Sequence, residues 1–215
     1  MTPEQVAPIT DEEYNTIMKN CIPHIEKLQQ ITLRCGEIPE GNVYYLHNSY
    51  QTSPDKIPVQ KNLMTLAKLS NTILEIGFNM GHSCLMMLLA NPNCKIDCFD
   101  ICTHRYTEKC FEYIESQFPN RVFLYKGDSK VTVPKYEKIV DMCHIDGSHD
   151  MHDADTDFSL CLDKTRSGGI IVFDDTWLQH IAYLWSVYIS RQLVRDINIL
   201  PSIGIQVGHS IGRKL

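Results

Sequence analysis

Apolar residues fall along this chain in two alternating patterns: short unbroken runs that end in an acidic residue, and longer stretches with helical spacing. Thr72-Ile73-Leu74-Glu75-Ile76, Lys95 to Ile101, Arg121 to Ser129, Lys138 to Ile145 and Ile170-Ile171-Val172-Phe173 read as strands. Between them Cys84 to Ala90, Thr107 to Phe118 and His152 to Lys164 read as helices, separated by turn segments such as Asn91-Pro92-Asn93, Pro119-Asn120 and Ser167-Gly168-Gly169. Strands alternating with helices predict a mostly parallel sheet with helices on both faces. Runs as apolar as 170–173 suit strands covered on both sides.

The two ends extend the pattern. Tyr14, Ile17, Met18 and Cys21 have helical spacing behind an acidic first turn, Asp11-Glu12-Glu13, and Pro23 predicts a break before a second short helix carrying Ile25, Leu28 and Ile31. Gly36 to Lys56 is a turn-rich connection with Tyr44, Tyr45, His47, Asn48 and Tyr50, readable as a surface link or as a lid facing a substrate. Val59 to Leu69 is helical and leads into the first strand. A helix begins near Trp177 with Ile181, Leu184, Trp185 and Tyr188 on its core face. Ile197 to Leu200 and Ile203 to Val207 are expected to pair across Pro201-Ser202, which so short a link permits only antiparallel. The organisation expected is one compact unit, with residues 1–56 as a helical cap and loop over a domain of residues 57–215.

Composition narrows the function classes. With 215 residues, 43% hydrophobic, the chain is long enough for one full core. The net charge is -6 and the basic residues are scattered, so no nucleic-acid footprint appears and a small-molecule partner is expected. The N-terminus lacks a basic and apolar leader, and the longest apolar run, Cys84 to Ala90, is too short for a bilayer. No membrane association is expected. Nine cysteines without a secretory signal predict reduced thiols and a cytoplasmic location, and Cys94, Cys98 and Cys102 are read as small core residues rather than metal ligands. The composition is compatible with a homo-oligomer.

Candidate chemistry sits where strands end. Gly77 and Gly81 enclose three residues in the turn after the first strand, so the backbone can approach a ligand, and the following helix start offers free N-H groups. The spacing differs from the Gly-x-Gly-x-x-Gly of dinucleotide sites, which disfavours a nicotinamide dehydrogenase. Asp100 lies 23 positions after Gly77, at the end of the second strand, where a βαβ unit places a carboxylate able to accept ribose hydroxyls; a solvated strand end is the alternative. Asp146 after the fourth strand and Asp174-Asp175 after the fifth converge on one edge. Three such carboxylates repel one another, and a hard divalent cation such as Mg²⁺ on Asp146, Asp174 and Asp175 resolves the conflict.

Glu75-x-Gly77-x-x-x-Gly81 after a hydrophobic strand resembles the first motif of class I S-adenosylmethionine-dependent methyltransferases. The acidic strand ends and Asp146-Gly147-Ser148-His149 resemble the metal-dependent O-methyltransferases, in the branch with an Asp-Gly-x-His segment. The likeness spans about residues 57 to 212. It implies a Rossmann-like α/β fold with a seven-stranded, mostly parallel sheet, an antiparallel last strand and S-adenosylmethionine as cofactor. The cofactor-binding residues implied are Glu75, Gly77, Asn79, Gly81, Ser83, Asp100, Asp128, Ser129 and Asp146. Glu75 is expected to attract the ammonium of the methionine part, and Asp128 the adenine amine, with an Asx cap as the alternative for Asp128.

Two departures from the catechol-type enzymes stand out. Asp174-Asp175 replaces Asp-Asn, and His149 stands where those enzymes have a lysine base. The expected catalytic residues are Asp146 and His149, an imidazole whose ordinary pKa suits proton removal near neutrality. His180 is the rival base, though a packing role is favoured for it, and His144 is read as structural. The function expected is O-methylation of a small hydroxylated acceptor. The alternative is a protein of the same fold that binds the cofactor or a partner without catalysis. Methylation of nucleic acid or amines is disfavoured because no Asn-Pro-Pro-Tyr-type segment follows the fourth strand.

Overall fold

The computed structural model describes residues 2–40, 42–46, 48–200 and 208–215. Eight strands form one sheet: β1 (Glu4–Gln5), β2 (Thr72–Ile76), β3 (Lys95–Asp100), β4 (Val122–Lys126), β5 (Val140–Ile145), β6 (Thr165–Phe173), β7 (Val194–Asn198) and β8 (Ser210–Lys214). Their order is β1-β7-β8-β6-β5-β2-β3-β4. β8 runs antiparallel to both β6 and β7, and every other pairing is parallel. The strand order reverses about β2, whose neighbours are β3 and β5, and ligands of open α/β sheets bind at such a switch point.

Among the described residues seven helices flank the sheet: α1 (Asp11–Cys35), α2 (Ile57–Lys68), α3 (His82–Ala90), α4 (Thr107–Gln117), α5 (Ser129–Thr132), α6 (Met151–Lys164) and α7 (Gln179–Ser190). Alternation along each strand divides the core into two layers. Ile73, Met142 and Val172 face Leu28, Leu63 and Leu85 of α1, α2 and α3, whereas Leu74, Ile145 and Phe173 face Phe158 of α6 and Trp185 of α7. α3 is buried on nearly all sides, which matches its uniformly apolar sequence.

Several sequence expectations need correction. Pro23 does not divide the first helix: α1 runs unbroken over 25 residues, because Met18, Cys21, Ile25 and Leu28 form one buried stripe across that point. The sheet has eight strands rather than seven, since Glu4 and Gln5 add a short edge beside β7. Ser167-Gly168-Gly169 lies inside β6, whose pairing with β5 shifts register between Val140 and Met142. The closing pair is β7 with β8, so the tail after His209 supplies the last strand. The expected strand Ile203 to Val207 lies outside the described residues, as does His47.

β1 and α1 are tied directly to the sheet and its helices. Glu4 accepts hydrogen bonds from Arg213 at 2.6 Å and from Arg195 at 3.2 Å, tying β1 to β8 and β7, and α1 lies against α3 and α4. Among the described residues no helix is long and apolar enough to cross a membrane.

Candidate active site

A cavity of about 670 Å³ opens at the carboxyl ends of β2, β3, β5 and β6. One end is walled by Gly77, Asn79, Asp100, Asp128 and Ser129, the other by Asp146, His149, Asp174, Asp175 and Trp177. The connection before α2 supplies a third side, with Glu40, Asn42, Leu46 and Lys56 facing the same space.

The glycine turn is fixed by neighbouring backbone. Gly77 N-H donates to the Phe99 carbonyl at 2.8 Å, and Asp146 N-H to the Ile76 carbonyl at 2.9 Å, so the ends of β2, β3 and β5 are stitched together. Asn79, in the left-handed region with φ 50°, donates its N-H to Asp100 Oδ2 at 2.8 Å. The Cys102 N-H donates to Oδ1 at 2.6 Å. The carboxylate predicted to sit beside the glycine turn is therefore held there, facing the cavity. Asp128 also lines it, with Oδ1 accepting from the Lys130 N-H at 2.9 Å; this is the Asx cap of α5. Ser129 Oγ donates to Asp157 at 2.6 Å, and burial raises the pKa of that aspartate.

Three expected cofactor residues lie behind the wall instead. Gly81 is needed for packing, since a Cβ there would come within 2.5 Å of the Phe78 ring. Ser83 Oγ donates to Glu75 Oε1 at 2.6 Å. Glu75 has no exposed surface, its Oε1 also lies 3.0 Å from His144 Nδ1, and it does not line the cavity. Its charge is committed to an interior network.

At the other end, burial and mutual repulsion with Asp174 and Asp175 push the Asp146 carboxyl well above the usual range. Burial and the Asp175 charge raise Asp174 to about 6. Asp175 departs from the expected metal set: its Oδ2 lies 2.7 Å from His149 Nε2, and its Oδ1 accepts from Trp177 Nε1 at 3.0 Å. The hydrogen bond to Asp175 raises the pKa of His149. The residue that joins Asp146 and Asp174 is His144: a ring nitrogen of His144 and carboxylate oxygens of both aspartates lie within 4.8 Å of one another.

His180 neither packs into the core nor lines the cavity. It is exposed at the start of α7, with Nε2 2.8 Å from the His149 carbonyl oxygen, and so braces the loop that carries His149. Sequence reasoning also missed Lys56 and Asp157. Lys56 lies in a connection without a readable motif, and Asp157 sits on a helix face that only the folded α6 turns toward the site.

This topology, a sheet with one antiparallel strand near its end, has solved counterparts. An O-methyltransferase from Bacillus cereus in complex with SAH superposes with TM-score 0.67 at 18% identity, covering 90% of each chain. A putative O-methyltransferase from Klebsiella pneumoniae gives 0.66 at 16%, covering 94% of each. The chain shares the fold of these O-methyltransferases. Residues 74–176 match a family model described as a methyltransferase domain, and that interval spans the rim from the glycine turn to Asp175. The O-methyltransferase TomG from Streptomyces achromogenes, in complex with SAM, gives 0.58 at 20%, covering 73% of this chain and 79% of its own. An uncharacterized protein of Sinorhizobium fredii is 23% identical over 154 residues, and this chain spans only 16% of its length.

Proposed function

We propose that this protein transfers the methyl group of S-adenosylmethionine to an oxygen of a small hydroxylated acceptor, assisted by a divalent cation at the acidic rim. The observation that carries the reading is that one cavity joins the Gly77-Asn79-Asp100 wall to the Asp146-Asp174-His149 wall. Donor and acceptor sites therefore share a single space, which is what in-line transfer requires. The resemblance to O-methyltransferases, some solved with SAM or SAH, points the same way.

In this reading Gly77 gives the backbone room for the donor's methionine part, Asp100 accepts the ribose hydroxyls, and Asp128 with Ser129 borders the adenine. Glu75 acts from behind the wall through Ser83 and His144. The bound donor supplies a methyl group already activated by its sulfonium charge. Asp146 and Asp174 would hold the divalent cation, which when bound would supply positive charge that lowers the pKa of an acceptor hydroxyl. The donors present fit such an ion: two half-buried carboxylates whose mutual repulsion the neighbouring Lys56 only partly offsets. His149 takes the hydroxyl proton at Nδ1, because Nε2 is held by Asp175. Asp175 fixes the tautomer and orientation of that ring, and Trp177 supplies a flat apolar wall for the acceptor.

Calorimetry with S-adenosylmethionine, followed by transfer of labelled methyl to a panel of phenolic and sugar hydroxyls, tests the proposal. Wild type should bind and turn over. His149→Gln should lose about 10²- to 10⁴-fold in turnover with cofactor affinity nearly unchanged. Asp100→Ala should lose cofactor binding itself. Absence of binding by wild type would remove the reading.

A further inference from the structure

β2, β5 and β6 lie side by side, and register places Glu75 beside His144, while Ile145 pairs with Phe173 one residue before Asp146 and Asp174. Because strand side chains alternate, His144 and Asp146 project from the same face of β5. His144 has no exposed surface. Its Nδ1 is taken by Glu75 Oε1 at 3.0 Å, yet its Nε2, also buried, has no hydrogen-bond partner among the described residues. A buried imidazole nitrogen left in that condition is costly, and here it adjoins two half-buried carboxylates.

We propose that His144 Nε2 is a ligand of the divalent ion held by Asp146 and Asp174, and that this one-nitrogen, two-carboxylate set selects a first-row transition metal such as Mn²⁺ or Co²⁺ over Mg²⁺. The inference rests on the reading of the acidic rim as a cation site and deepens it. Separation is the first reason: the ligand atoms of the three residues lie within 4.8 Å of one another, yet His144 Nε2 hydrogen-bonds to neither aspartate. Donors around one ion at roughly 2.1 Å stand about 3 to 4 Å apart, a spacing that the 4.8 Å limit accommodates. Glu75 is the second reason. A carboxylate on the far nitrogen of a histidine fixes the tautomer with its lone pair forward and raises its basicity, the usual support of a metal-bound imidazole. The third is ligand chemistry, since imidazole suits transition ions whereas Mg²⁺ favours oxygen donors and retained water. Asp175 stays outside the set because His149 and Trp177 occupy its oxygens.

Pulsed EPR of the full chain loaded with Mn²⁺ tests the assignment without reference to turnover. The expected result is nitrogen-14 modulation from one directly bound imidazole in wild type, lost in His144→Gln, with Mn²⁺ affinity at least about 10-fold weaker in that variant. Glu75→Gln should weaken Mn²⁺ by about 10- to 100-fold while keeping the modulation. Titration with Mg²⁺ should give binding at least about 10-fold weaker than with Mn²⁺. Failure of Mn²⁺ to bind wild type, bound Mn²⁺ without nitrogen modulation, or Mg²⁺ binding as tight as Mn²⁺ would overturn the proposal. Wild type alone decides the nitrogen ligand if His144→Gln does not fold. S-adenosylmethionine calorimetry on the metal-free protein separates the two ideas: donor binding with nitrogen-free Mn²⁺ sinks only the histidine ligand, and nitrogen-bound Mn²⁺ without donor binding sinks only the methyl-transfer reading.

Discussion

A Cβ added at position 77 would lie 1.8 Å from the carbonyl oxygen of Asp146, on a backbone whose φ is 89°. Both facts bear on the same residue, because the turn must bend left-handed and must also let β5 pass at backbone contact distance. Gly77→Ala is therefore expected to cost at least about 1–3 kcal/mol from the strained φ alone, lowering the melting temperature by several degrees. It should also displace Asp146 and weaken S-adenosylmethionine binding. Thermal melts and donor calorimetry on the same sample check it, and a variant that melts and binds like wild type would show that the close approach is not required. The same turn shows what spacing alone leaves open at this scale. Glu75, Gly77, Gly81 and Ser83 belong to one motif, yet only Gly77 lines the cavity; Glu75 and Ser83 turn inward to each other at 2.6 Å. Spacing identifies a turn, and the side of the sheet on which each side chain ends is settled by neighbours such as His144 that lie 69 residues away in sequence.

The first helix shows packing overriding a local rule. Pro23 removes one backbone donor from the interior of α1 and clashes with the preceding turn, a penalty of about 3 kcal/mol relative to alanine in an isolated helix. The helix persists because its buried stripe passes the proline on one side, while Pro23 itself is exposed and its N-terminus carries a capping box between Thr10 and Glu13. Pro23→Ala should thus stabilise the protein by about 1–3 kcal/mol, since no core contact is lost and a hydrogen bond is restored. Urea unfolding followed by circular dichroism tests this, and an unchanged midpoint would mean that the proline is accommodated without strain. The strands from β2 to β6, and α2, α3, α4, α6 and α7, were legible because each carries its own periodicity and its own stop. β1 and β8 were not. Two residues at an edge have no period, and Ser210 to Lys214 holds one large apolar side chain, Ile211, in a strand stabilised by β6 and β7 on either side. At the rim, the carboxylates were legible from their places at strand ends. His144 was not, because inside a strand it reads as core until the register sets it beside Glu75 and next to the aspartates.

Among the described residues of the molecule, two buried histidines have a charge that the interior opposes. Burial lowers both His82 and His209 to about 3. His82 sits at the start of α3, edge-on to Tyr45 with ring centroids 5.4 Å apart, and neither ring nitrogen has a hydrogen-bond partner among the described residues. A folded pKa below the unfolded value of about 6.5 means that the unfolded chain binds the proton first. The stability contributed by each neutral ring is therefore complete above about pH 6.5 and is lost as pH falls toward 3, at about 1.4 kcal/mol per pH unit for each ring. The acidic rim acts in the opposite sense. Asp174 has its folded pKa raised to about 6, so it gains a proton on acidification and relieves repulsion with Asp175 between that pH and the ordinary aspartate range. The acid response of the wild type mixes the two effects, and a variant comparison separates them. His82→Phe keeps an aromatic ring against Tyr45 and removes the titration, and His82 is remote from the rim carboxylates in the sense that it does not line the cavity. Between pH 7.5 and 5.5 the variant should lose about 1.4 kcal/mol less stability than wild type, read as the difference in urea unfolding free energies at the two pH values. Equal losses would mean that the ring is hydrated, or already charged, in the folded protein. In that case the acid limit of the fold would belong to the carboxylates that hold its edges, among them Glu4, whose pKa is lowered by Arg213 and Arg195 and whose contribution is lost only as pH falls below the glutamate range.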